Sequence, residues 1–142
     1  MLAVTLIALT LQVVFGFIVG GEANYPATAV GAATIGGLLS AMWSAAGPAI
    51  FLHAFWGVLV VLVGGGTAIL GVRQHARRVA IASVLGAISL LVALLGGLLF
   101  ALSDFASGGG LLLMVIGVIA AYASLLAAFS FTRRKLVSGP KS

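Results

Sequence analysis

Four stretches of this 142-residue chain, at about 2–20, 48–72, 79–102 and 110–131, contain no charged side chain. Each is long enough to supply the roughly 20 apolar residues that cross a hydrocarbon core about 30 Å thick. In lipid every backbone N–H and C=O must be satisfied within its own segment, so each stretch has to be a helix. The expected fold is therefore an all-α integral membrane protein with four spans. Composition agrees, with 63% hydrophobic and 6% charged residues, against about a quarter charged in soluble domains. So few polar groups do not make a water-facing surface.

The connections set the order of the helices. The turn at 72–79 is tight and "SDFASGGG" (103–110) is short, so sequential helices are expected to lie antiparallel in an up-down bundle. The segment 21–47 is too long for a simple turn. Within it "GEANYPATAVG" reads as loop, with Gly21 and Pro26 as breakers. "AATIGGLLSAMWSAAG" reads as a short helix lying at the interface near Trp43. Residues 1–135 then form one transmembrane domain, followed by a tail at 136–142. The N-terminal run lacks a positive n-region and exceeds a signal-peptide core in length, so it reads as a retained first helix.

All seven basic residues fall in two clusters, Arg73, Arg77 and Arg78, then Arg133, Arg134, Lys135 and Lys141. Both directly follow apolar runs, which marks them as topology determinants and anionic-lipid contacts, not as a nucleic-acid stripe. The positive-inside rule places both clusters, and hence both termini, in the cytoplasm, as in a multi-pass protein of the cell membrane. Glu22 and Asp104 then fall in the two outer loops. The chain has no cysteine, which removes disulfides, thiolate metal sites and haem attachment through C-x-x-C-H. No nucleophile–His–acid arrangement is present either, so no catalytic residue is assigned and hydrolase chemistry has no support.

What remains for chemistry centres on "PAIFLHAFWGVLVVLVGGG", from Pro48 to Gly66, where His53 interrupts an apolar helix. An intramembrane histidine is a functional hypothesis by default. Three readings compete: a haem-iron ligand, a proton relay, and an interhelical hydrogen-bonding group. The relay lacks a chain of ionisable groups, since no Asp, Glu, Lys or Arg lies within the spans. Haem ligation needs an imidazole nitrogen, a small residue beside it and apolar walls. Ala54, Gly57, Phe51, Phe55 and Trp56 supply these, with Gly57 making room for the macrocycle. Met114, just over a turn into the fourth span, is the candidate second ligand, with packing as its competing role. His75, in "GVRQHARR", reads as a solvated loop histidine.

A faint repeat aligns "LHAFWGVLVVL" (52–62) with "LLMVIGVIAAY" (112–122) on Gly57 and Gly117. Two similar helix pairs would make Leu113 the counterpart of His53. Glycines at 16, 20, 64–66, 86, 96 and 97 are expected to let helices approach closely, because lipid offers no hydrophobic force between them.

"LQVVFGFIVGG", an acidic outer loop, "FLHAFWGVLVVLV", a basic turn and two further spans together resemble one four-helix half of the haem A synthase family. The resemblance implies haem-ligating histidines near the outer ends of the second and fourth helices, so that His53 matches the second-helix ligand. It also implies an acidic role in the loop beginning at Glu22. The family tends to carry an acidic residue three positions before this histidine and an arginine after it, where this chain has Ile50 and Ala54. The fourth-helix histidine is replaced by the Leu113–Met114 pair. The resemblance thus implies a non-catalytic relative. The expected function is a small membrane protein of respiratory electron transfer holding haem b through His53, with Met114 as second ligand. The alternative is a cofactor-free accessory subunit of a larger respiratory membrane complex, with other membrane subunits or further copies of itself as partners.

Overall fold

The computed structural model describes residues 1–22, 35–73, 76–102 and 108–137. They form four helices: α1 (Leu2–Glu22), α2 (Ile35–Arg73), α3 (Arg77–Leu102) and α4 (Gly108–Val137). Each contains a stretch long and apolar enough to cross a membrane. No strand occurs among the described residues. The helices are apolar on all sides, as spans are and as surface helices of soluble proteins are not. Phe17, Leu62 and Ile119 are 79%, 65% and 63% exposed. In water such a surface would drive aggregation, and against lipid it carries no penalty. The chain is a multi-pass membrane protein built as a four-helix bundle.

Two elements depart from the expected bounds. The segment anticipated as a separate interfacial helix is continuous with the second span, giving an α2 of 39 residues with Pro48 inside it. At 1.5 Å per residue α2 is about 58 Å long, nearly twice the core of about 30 Å that it must cross. Its first three turns, before Pro48, therefore extend beyond the hydrocarbon. Proline is tolerated there at the cost of one backbone hydrogen bond, because it has no N–H to give the carbonyl four residues earlier. The glycine run of the third connection begins α4 instead of ending a loop, since Gly108–Gly110 are helical. Residues 23–34 of the outer segment, His75, Asp104 and Lys141 lie outside the described residues.

The four helices form a ring in which each packs on its chain neighbours and α1 closes against α4. Among the described residues the diagonal backbones, α1 with α3 and α2 with α4, stay apart. The centre is filled by Leu9, Val60, Leu90, Ala121 and Leu125, one or more from every helix. A smaller cluster, Val19 and Ile50 with Ala49 and Ala54, closes the α1–α2 seam at the end opposite the arginines.

The seams are built differently. Along α3–α4 the backbones touch: a Cβ on Gly117 would lie 2.6 Å from the Ala93 nitrogen, and one on Gly110 2.6 Å from the Phe100 nitrogen. A Cβ on Gly96 would collide with the Met114 nitrogen. Along α1 the neighbours are instead joined by polar side chains. The Thr5 and Thr67 hydroxyls meet at 2.7 Å, and those of Thr10 and Tyr122 at 2.5 Å. The Trp56 indole donates to the Ala8 carbonyl at 3.0 Å.

Candidate functional site

His53 lies on the face of α2 that packs on α1, and its partner there is Gln12. The two helices are antiparallel and each carries a polar residue followed one turn later by glycine, Gln12 then Gly16 and His53 then Gly57. Each polar side chain fills the space left by the opposite glycine. A Cβ on Gly16 would lie 3.1 Å from Cε1 of His53, and a Cβ on Gly57 would lie 3.1 Å from Nε2 of Gln12. The Gln12 amide donates to the His53 carbonyl at 3.1 Å and faces the His53 Nε2 at 3.3 Å. An amide NH2 carries two protons, so it donates to both acceptors only if Nε2 is the unprotonated ring nitrogen. The proton then resides on Nδ1.

Among the described residues this arrangement leaves the His53 Nδ1 and the Gln12 Oε1 buried without a partner. One is a donor and the other an acceptor. Beyond them the seam is sealed by aromatics, with the Phe15 ring edge-on to Trp56 at a centroid distance of 6.2 Å and an angle of 80°. The tie to Ala8 fixes the Trp56 ring beneath the pair.

Met114 is not brought to His53. Its sulfur lies 3.5 Å from where a Gly97 Cβ would be, so it packs on α3. Across α2–α3 Gly64 abuts Leu90, and across α3–α4 Gly96 abuts Met114. Carried through that register, Met114 is level with Val58 of α2, about one and a half turns and roughly 7.5 Å deeper than His53. Among the described residues no group of three His, Cys, Asp or Glu side chains gathers to hold a metal. The pair as packed does not fit a haem. Nε2 is engaged by the amide, the clearance at Gly57 is occupied by Gln12, and Met114 faces another helix.

Gln12 was not among the candidates drawn from the sequence, where ionisable groups carried the reading. Its signal is present all the same: a strongly hydrogen-bonding amide in the middle of an uncharged span, with the same four-residue spacing to glycine as His53. The repeat joining Gly57 and Gly117 also acquires a physical meaning. Gly57 faces α1, Gly117 faces α3, and so each even-numbered helix turns its glycine toward the helix before it. Comparison with protein-family models, with curated proteins and with solved structures returns no match.

Proposed function

We propose that this chain is a structural membrane subunit that carries no cofactor of its own and packs through its apolar faces within a larger membrane assembly. The observation that supports this reading is the use to which polar side chains are put. Gln12 with His53, Thr5 with Thr67, Thr10 with Tyr122 and Trp56 with the Ala8 carbonyl all join α1 to a neighbouring helix. Groups that would do chemistry are spent on holding the bundle together. A respiratory complex in the cell membrane is the setting implied by the resemblance to haem A synthase, with the arginine-bearing end in the cytoplasm. Extraction in mild detergent followed by native electrophoresis tests the reading: co-migration with other membrane subunits supports it, and migration solely as a free monomer sinks it.

The second reading is haem b binding for electron transfer, with His53 as ligand. One observation favours it, an imidazole within a span with a glycine one turn away, although the Gln12 amide would have to leave both Nε2 and Gly57. Its test is an absorption spectrum of the purified chain. A Soret band that disappears in His53→Ala would establish haem binding and overturn the cofactor-free reading. A spectrum without that band removes haem from the isolated protein.

A further inference from the structure

At the end opposite His53, residues from all four helices enclose a half-open chamber of about 300 Å³. Its walls include Leu2, Thr67, Gly71, Ser83, Phe129 and Thr132. The walls are mainly apolar, but Ser83 and Thr67 are 0% and 2% exposed. The hydroxyls of Thr67 and Thr132 are each turned back to a carbonyl of their own helix, Val63 at 3.0 Å and Ala128 at 2.9 Å. Among the described residues the Ser83 hydroxyl has no partner, and it lies against Gly71, where a Cβ would be 2.7 Å away. A buried hydroxyl left unpaired bears its desolvation with no bond to offset it.

The same end carries the basic residues. Gly71 is two positions from Arg73, Val79 of the chamber wall follows Arg78, and Thr132 precedes Arg133. Arg133 is held at the rim, its guanidinium 5.8 Å from the centroid of the Phe129 ring. A cation site is disfavoured by the Arg133 guanidinium over Phe129 and by the basic residues that this end of the bundle carries. A wholly apolar occupant would leave Ser83 unpaired. The shape, an apolar chamber with one deep donor and a cationic rim, matches an amphiphile with an anionic head and an acceptor just below it.

We propose that the chamber binds one anionic phospholipid, its phosphate among Arg73, Arg77, Arg78 and Arg133 and an ester carbonyl accepting from the Ser83 hydroxyl. Ser83 lies six residues into α3 from Arg77, about 9 Å deeper at 1.5 Å per residue. That depth suits the ester region below a headgroup and is beyond the reach of a phosphate held at the rim. Basic pockets between spans are a recurring form of lipid recognition.

Native mass spectrometry of the full chain in detergent, supplemented in turn with phosphatidylglycerol, phosphatidylcholine, ether-linked phosphatidylglycerol and inorganic phosphate, tests this. Phosphatidylglycerol is expected to be retained as a single adduct, at least tenfold more tightly than phosphatidylcholine. Arg133→Gln should reduce that preference about fivefold, the equivalent of 1 kcal/mol. The ether lipid, which lacks the carbonyl, should bind about five- to tenfold more weakly than the ester lipid. Ser83→Ala, which removes one atom and leaves the packing intact, should erase that difference. Equal retention of the two phosphatidylglycerols by the unsubstituted chain, or of phosphatidylglycerol and phosphatidylcholine, overturns the proposal. Displacement of the lipid by inorganic phosphate also overturns it, since it would locate recognition in the phosphate alone.

Discussion

The α3–α4 seam and the α1–α2 seam both join antiparallel apolar helices, yet they are held by opposite means. Along α3–α4, Gly96, Gly110 and Gly117 bring backbone against backbone, with no side chain between. Along α1–α2, Gly16 and Gly57 serve as sockets into which a histidine and a glutamine are inserted. In lipid both strategies are available, because dispersion and hydrogen bonding replace the missing hydrophobic force. They differ in tolerance. A backbone contact has no flexible end that can retreat, whereas the tip of a long side chain can. The glycines of the first seam should therefore be far less replaceable than those of the second.

The largest expected effect follows from that difference. Gly117→Val forces its side chain into the Ala93 backbone, and separating α3 from α4 would uncouple the tightest seam. A loss on the order of 3 kcal/mol is expected, read as a lowered unfolding midpoint in detergent micelles. If Gly117→Val unfolds at the midpoint of the unsubstituted chain, the seam is not held by backbone contact.

Legibility in the sequence divides along the same line. The four spans, their order and the all-helical class follow from uninterrupted apolar length, which lipid leaves no alternative way to satisfy. The continuity of α2 through Pro48 was not legible, because a proline among glycines and serines signals a boundary when no packing is in view. His53 stood out because imidazole is rare in a span, but its partner did not. Whether Gly57 makes room for a macrocycle or for a side chain depends on which residue α1 presents, and that is a property of register.

The next effect tests the socket itself. Replacing Gln12 with Leu leaves Nε2 of His53 without its donor, and replacing His53 with Leu leaves the amide without its acceptor. Each single change is expected to cost about 1–2 kcal/mol. The double change should cost less than their sum, with a coupling of about 0.6–1.7 kcal/mol, the range for interhelical hydrogen bonds in membranes. Additive losses would show that the two residues merely adjoin.

A matched pair of substitutions sharpens the comparison further. Gly57→Ala and Gly117→Ala place the same methyl at equivalent positions of the repeat. At Gly57 it meets the end of Gln12 at 3.1 Å, and at Gly117 the Ala93 nitrogen at 2.6 Å. Gly57→Ala should cost less than about 1 kcal/mol, since helix propensity favours alanine by nearly that amount. Gly117→Ala should remain clearly destabilising. Equal midpoints for the two variants would erase the distinction between socket and seam.

The smallest effect is expected where a polar joint is exposed to the surroundings of the bundle. Thr10 already donates to the Leu6 carbonyl at 2.8 Å, so Tyr122 is the donor in their shared contact. Tyr122→Phe removes that donor and leaves no buried acceptor unpaired, because the Thr10 hydroxyl keeps its own bond. Removing a partner without stranding the other is the mildest way to delete a hydrogen bond. The midpoint should move by no more than about 0.5 kcal/mol. A loss comparable to that of Gln12→Leu would mean that α1 is anchored to α4 as firmly as to α2, and the Gln12–His53 socket would no longer be the principal attachment of the first helix.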